Sequence, residues 1–202
     1  MSIKLVNQPR VESILDREGL DGLVVVNPIN FYYFSGYWGF FNTPTGFDGS
    51  YFSVLPRDSD KKPSMVIPAL EIRRIETKGR PWIKDIFSYT SDGDGSSFDD
   101  NSPKGMDYEG WPINQTAKLT QREKNWKKIV EDFKDSYNEN SFQALVRAIK
   151  SSHLDGKKIL IDDLRIERWL EKEKKLNIEC IYKPYLFNEM RMVKTENEIK
   201  IL

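Results

Sequence analysis

The stretch LDGLVVVNPINFYYFSGY, residues 20–37, decides how the fold is interpreted. Leu23–Val26 is a continuous apolar run rich in β-branched residues, which is typical of a strand buried on both faces of a sheet. Asn27 and Pro28 then provide an N-cap and a first helical residue, and Gly36 ends the predicted helical turn. A buried strand followed at once by a helical segment indicates the α/β class.

Outward from this stretch, strands and helices alternate. Strands are predicted at Tyr51–Leu55 and Met65–Ile67, joined by a polar, hairpin-like connection. Lys157–Ile161, Asp163–Lys175 and Asn177–Tyr182 read as strand, helix and strand, a βαβ unit whose strands should be parallel. The sequence therefore predicts an α/β fold with a mixed sheet of five or six strands and helices on both faces.

Capping signals and apolar residues at helical spacing predict the other helices, which cover Pro9–Glu18, Leu70–Lys78 and Ser141–Ser152, with another opened by the capping box of Thr120 and Glu123. The second of these helices should turn Leu70, Ile72 and Ile75 toward the core. Trp82–Tyr89 alternates weakly and is a further candidate strand.

Composition narrows the class of protein. The 202 residues carry 31 basic and 31 acidic side chains, so no charge excess favours nucleic acid or an anionic membrane as a partner. The first residues lack the apolar region of a signal peptide, and the longest apolar runs are too short to cross a bilayer. With one cysteine, no disulfide framework can form, which fits a reducing cytoplasm. We therefore expect a cytoplasmic protein that binds neither membrane nor nucleic acid.

Isolated residues offer little chemistry. His153 has no second histidine or cysteine near it, which argues against a His/Cys metal site, and it should face solvent at a helix end. Cys180 lies in a predicted buried strand and should be an inert core thiol. Asp162 and Asp163 could bind a divalent ion in a small nuclease-like domain, but a helix N-cap explains one of them more simply.

The stretch Thr90–Thr116 is polar and longer than most connections inside a compact domain. Asp92 and Asp94 have the spacing of a calcium loop, but the further ligands and the closing glutamate of that loop are missing. A solvated insertion is the expected structure, and its role stays open.

The segment from Tyr37 to Phe47 is unusual for a loop because it places aromatic residues between glycines. Exposing this much aromatic surface is unfavourable unless something covers it. The segment could pack on the domain's own sheet. It could equally form a contact surface for a missing domain, a partner subunit or an apolar substrate group, since aromatic residues often carry such interfaces.

The final stretch MRMVKTENEIKIL, residues 190–202, predicts the start of a helix. Thr195 and Glu198 form a capping box, and Ile199 and Leu202 begin an apolar stripe that should be buried. Helices shorter than about 12 residues are marginal in water. We therefore expect this helix to continue into a further domain.

Two of these stretches together resemble one known family. Residues 20–37 resemble the strand, Asn-Pro turn and aromatic residues near the start of the creatinase/prolidase N-terminal domain. Residues 190–202 resemble that family's inter-domain signature, an Arg, a Lys-Ser/Thr and a Glu-Ile that opens the first catalytic-domain helix. The resemblance implies a ribonuclease H-like N-terminal domain over residues 1–193 and the start of a linker helix at 194–202.

Function also follows from the resemblance. Xaa-Pro aminopeptidases, prolidases and creatinases are two-domain hydrolases whose active site lies in a C-terminal "pita-bread" domain. In the peptidases, that domain holds two divalent ions (manganese, cobalt or zinc), so no catalytic residue, metal ligand or cofactor is expected here. The N-terminal domain commonly supports homodimers and lends a loop to the substrate pocket, and the matching positions are Tyr37, Trp38, Phe40 and Phe41.

The expected function is thus that of a non-catalytic N-terminal domain, inactive by itself, whose partners are its own C-terminal catalytic domain and a second copy of the protein. The alternative is a stand-alone interaction module that binds a partner through residues 37–47. The sequence encoded after Leu202 distinguishes the two.

Overall fold

One mixed sheet organises the chain. The computed structural model describes residues 4–40, 51–72, 74–75, 81–91, 118–173 and 176–201. The strands in these ranges are β1 (Gly22–Val25), β2 (Phe52–Pro56), β3 (Ser64–Pro68), β4 (Asp85–Ser91), β5 (Tyr137–Asn140), β6 (Lys158–Ile161) and β7 (Glu179–Tyr182). Their order is β5-β4-β3-β2-β1-β6-β7. The predicted α/β class and mixed sheet are confirmed, with seven strands instead of five or six.

Strand directions follow the predicted connections. β2 runs antiparallel to both neighbours, β1 and β3, so the hairpin prediction is confirmed. The other neighbouring pairs are parallel, including β6 and β7 of the predicted βαβ unit. The carboxyl ends of β1, β3, β6 and β7 therefore lie at the same edge of the sheet.

Helices cover both faces, as predicted. They are α1 (Gln8–Arg17), α2 (Pro28–Ser35), α3 (Gln121–Phe133), α4 (Ser141–Ser151), α5 (Leu164–Glu173), α6 (Pro184–Met192) and α7 (Glu196–Ile199), with 3₁₀ turns at Ala69–Glu71 and Lys134–Ser136. Helices α1, α2 and α6 contribute to one buried apolar cluster, and α4 and α5 contribute to a second. No described helix is long and apolar enough to span a membrane.

The interior strand β1 separates the two clusters. Leu23 and Val25 belong to the first cluster, whereas Val24 belongs to the second, because successive side chains of a strand point to opposite faces. All residues of β1 are buried. The prediction of a strand buried on both faces is therefore confirmed.

Two elements were not predicted. β5 has the sequence YNEN, which carries no apolar alternation, and its place in the sheet depends on pairing with β4. α6 begins at Pro184, whose fixed φ suits the first helical turn, but no side chain of the N-cap residue Lys183 marks the start. Apolar alternation was thus absent from β5, and a side-chain cap was absent from α6.

Leu70 was predicted to face the core and is instead 50% exposed, whereas Ile72 and Ile75 are buried as predicted. The cause is the 3₁₀ turn that opens this segment, because side chains three residues apart share a face in that geometry. Ala69, Ile72 and Ile75 follow this spacing and are buried, so Leu70 points away from them.

Candidate functional site

A fully buried glutamate anchors the start of the aromatic segment. The carboxylate of Glu71, just after β3, accepts hydrogen bonds from the hydroxyl groups of Tyr37 at 2.5 Å and Tyr51 at 2.7 Å. It also accepts one from the backbone N–H of Phe40 at 2.5 Å. Arg74 Nε lies 3.5 Å from the same carboxylate. One buried side chain thus fixes the base of the segment at the carboxyl edge of the sheet.

The structure divides the four predicted loop residues. Tyr37 is only 3% exposed, and burial together with its hydrogen bond to Glu71 raises the pKa of its hydroxyl well above the usual range. Trp38 is half-buried. Phe40 is 62% exposed, and Phe41 lies outside the described residues. Tyr37 therefore packs inward against the domain itself, whereas Phe40 points outward, and a contact surface at Phe40 stays a prediction.

Ring contacts hold the two outer aromatic residues in place. The ring of Trp38 meets the ring of Tyr32 edge-on, with centroids 5.5 Å apart. The guanidinium carbon of Arg74 lies 4.8 Å from the centroid of the Phe40 ring, within the range of a cation–π contact. Arg74 therefore contacts both the buried carboxylate and the exposed ring.

A second polar cluster joins β6 to α2. The carboxylate of Asp162 accepts hydrogen bonds from the backbone N–H groups of Val26 at 2.9 Å and Asn27 at 3.0 Å, and from Asn30 Nδ2 at 2.9 Å. It lies where α2 and α5 leave the sheet toward opposite faces, a position where α/β proteins often bind ligands. Here the protein's own carboxylate occupies the anion position at the helix N-terminus.

Asp163 accepts a hydrogen bond from the backbone N–H of Arg165 at 2.8 Å, so the predicted N-cap role belongs to this residue. Within the described ranges, no three His, Cys, Asp or Glu side chains are grouped so that they could hold a metal ion. Asp92 and Asp94 of the Thr90–Thr116 stretch lie outside the described ranges.

The pH dependence of stability should report on Asp162. Burial raises the pKa of this carboxyl to about 6, against three hydrogen bonds that lower it. An unfolded aspartate has a pKa of about 3.9. The raised pKa of Asp162 therefore stabilises the folded state fully below pH 4, and this contribution is lost as the pH rises through 6. Asp162→Asn removes this titration.

Urea unfolding at pH 4 and pH 7 measures the effect. The stability advantage of the wild type over Asp162→Asn should shrink by roughly 1–2 kcal/mol between these pH values, after allowance for partial exposure. Because both proteins contain the same other carboxyl groups, the contributions of those groups to the pH dependence cancel in the comparison. An advantage that grows with pH would contradict the assignment.

His153 and Cys180 are the two remaining single residues that the sequence singled out. His153 is exposed just beyond α4, as predicted, with a positive φ of 55°. Cys180 lies in β7, which is an edge strand and only half-buried, so its predicted full burial is wrong. Burial still raises the pKa of this thiol to about 12, which keeps it protonated and a poor nucleophile.

An apolar groove lies between α2, α6 and α7. Its volume is about 450 Å³, and its walls include Leu5, Ile29, Tyr32, Arg191, Met192 and Ile201. The predicted capping box of Thr195 and Glu198 is present. Ile199 was expected to be buried but is 63% exposed, because burial of the adjacent Glu198 turns the next residue of the helix outward.

Comparison with known proteins identifies the family. The sequence profile of the Creatinase/Prolidase N-terminal domain matches residues 9–193. The chain belongs to this family. No curated protein matches the sequence.

Solved structures share the fold of this creatinase/prolidase N-terminal domain. A recombinant prolidase from Thermococcus sibiricus has a TM-score of 0.51 and 17% identity, and the match covers 96% of this chain and 38% of that chain. A Xaa-Pro dipeptidase from Bacillus anthracis has a TM-score of 0.51 and 15% identity, and the match covers 96% of this chain and 38% of that chain. A proline dipeptidase from Streptococcus pneumoniae has a TM-score of 0.51 and 18% identity, and the match covers 96% of this chain and 100% of that chain. The chain thus spans 38% of the length of the first two.

Proposed function

We propose that this creatinase/prolidase N-terminal domain is the non-catalytic part of a metal-dependent hydrolase of the Xaa-Pro peptidase or creatinase type. It contributes to a homodimer and to the substrate pocket of a catalytic domain that follows residues 194–202. Family membership supports the proposal. So does the fact that this chain matches 38% of the length of each of two structurally similar peptidases. In the peptidases of this family the bound divalent ions supply an activated water, and their ligands would belong to that further domain.

The fixed, outward-facing Phe40 is the observation that carries the proposal. Its backbone N–H is hydrogen-bonded to buried Glu71, while the residue is 62% exposed and its ring contacts Arg74. An aromatic ring held in one position loses little entropy on binding, and its burial contributes roughly 1.5–3 kcal/mol. Such a residue suits an apolar substrate group or a neighbouring subunit.

The first test uses the 202-residue chain with manganese and a Xaa-Pro dipeptide. No hydrolysis is expected, because the catalytic ligands are assigned to the following domain. Hydrolysis by this chain would overturn the proposal. So would a stop codon directly after Leu202, which would favour the stand-alone interaction module.

The second test is Phe40→Ala in the longer protein. We expect kcat/KM for the dipeptide to fall roughly tenfold, which corresponds to about 1.4 kcal/mol of lost transition-state stabilisation. Leu70→Ala is the matched control, because Leu70 is also an exposed apolar residue close in sequence to Glu71. Equal activity of the two variants would exclude a role for Phe40 in the pocket.

A further inference from the structure

We propose that the groove between α2, α6 and α7 is the docking site of the following catalytic domain. We infer that it receives an apolar side chain of that domain beside a carboxylate that pairs with Arg191. This inference rests on the proposed function, because the occupant is the domain assigned there. It adds a specific surface and a specific ion pair.

The apolar character of the groove and its rim argues for a macromolecular occupant. The walls carry Leu5 and Tyr32, and the exposed residues Ile29, Met192 and Ile201 also line it. Met192, at 72% exposed, has the largest exposed fraction among the large hydrophobic residues that the structure describes. Clustered apolar surface of this kind usually marks an interaction site.

The charge of Arg191 indicates which chemical group the occupant should carry. Arg191 is half-buried, and its guanidinium donates a hydrogen bond to Asn188 Oδ1 at 2.6 Å. It forms no ion pair with any carboxylate in the described part of the chain, and burial lowers its pKa. Arg17, by contrast, is exposed and still makes two hydrogen bonds to Glu189.

The carboxylates near Arg191 are already engaged. Glu198 completes the capping box with Thr195 and pairs with Lys194 at 3.4 Å. Asp162 accepts the three hydrogen bonds at the start of α2. A desolvated cation without a counter-ion is unfavourable, so a carboxylate from outside this domain is the matching group.

The position of the groove favours a covalently attached occupant over a free one. α7 is fixed to the N-terminal segment, because Thr195 Oγ1 donates to the carbonyl oxygen of Leu5 and Asn197 Nδ2 donates to that of Lys4. Ile201 itself lines the groove. A domain that continues from this residue is held beside the groove at an effective concentration on the order of millimolar.

Oxidation of Met192 by hydrogen peroxide tests the docking. In the 202-residue chain, Met192 should form its sulfoxide readily because it is exposed, whereas buried Met190 should react slowly. In the longer protein, Met192 should slow toward the rate of Met190, as followed by tandem mass spectrometry. Equal rates for Met192 in both proteins would overturn the docking site and leave the proposed hydrolase function intact.

Arg191→Glu in the longer protein tests the ion pair. The protection of Met192 should be lost, while slow oxidation of Met190 reports that the N-terminal domain remains folded. Arg191→Gln removes the charge without reversing it and should also reduce the protection of Met192. It serves as the test if Arg191→Glu impairs folding. Arg168→Glu is the matched control, because Arg168 is an exposed arginine of α5, outside the groove. Retained protection of Met192 in the Arg191 variants would overturn the pairing.

Discussion

Replacing Glu71 with alanine should lower the free energy of unfolding by roughly 3–5 kcal/mol, because three hydrogen-bond donors lose a fully buried acceptor. Tyr37, Tyr51 and the backbone N–H of Phe40 would all lose their acceptor. Each buried donor left unsatisfied costs about 1–3 kcal/mol. Because domain stability is typically only about 5–15 kcal/mol, this change removes a large share of it.

Two further variants separate the lost acceptor from general perturbation. Glu71→Gln keeps the size of the side chain but removes its charge and part of its accepting capacity, so an intermediate loss of about 1–3 kcal/mol is expected. Leu70→Ala, at an exposed neighbouring position, should change stability by at most about 0.5 kcal/mol. Urea unfolding followed by circular dichroism measures all three. A Glu71→Ala loss no larger than that of Leu70→Ala would contradict the assigned role.

The contacts of Glu71 also connect stability with the proposed function. The same carboxylate binds the backbone of Phe40 and approaches Arg74, whose guanidinium contacts the Phe40 ring. Loss of the carboxylate should therefore release Phe40 even at temperatures where the sheet stays folded. In the longer protein, Glu71→Gln should thus reduce kcat/KM in the same direction as Phe40→Ala.

Local sequence rules predicted much of the fold. The predicted strand Leu23–Val26 overlaps β1 (Gly22–Val25), and the capping boxes opened by Thr120 and Thr195 are both present in the structure. These signals involve residues at most four apart, so a single sequence is enough to find them. The α/β class, the hairpin and the βαβ unit all follow from such short patterns.

The candidate site depended on contacts that local rules do not reach. Glu71 bonds residues 20 to 34 positions away, and Asp162 bonds residues 132 to 136 positions away. A glutamate within a predicted surface helix is usually solvated, so nothing in the sequence marked Glu71 as buried. The aromatic segment was identified from its composition and from the family resemblance, and only the structure shows that Tyr37 points inward and Phe40 outward.

Gly22→Ala should be the other strongly destabilising substitution, with a loss of roughly 3 kcal/mol, at the upper end of the usual range for overpacking. An added Cβ would lie 2.6 Å from the backbone oxygen of Leu55 and 2.8 Å from Leu154 Cδ1. The leucine side chain can move, but Leu55 is paired with Leu23 in the β1–β2 ladder. Relief of the clash requires that β1 and β2 shift relative to each other.

Gly156→Ala is the matched control for the glycine substitution. Nothing lies within 4 Å of its added Cβ, but its φ of +73° is unfavourable for alanine, so about 1–2 kcal/mol should be lost. The difference between the two variants in urea unfolding isolates the clash at the centre of the sheet. If Gly22→Ala is no more harmful than Gly156→Ala, then β2 can move away from β1. Since Tyr51 directly precedes β2, such movement would also weaken the link to Glu71.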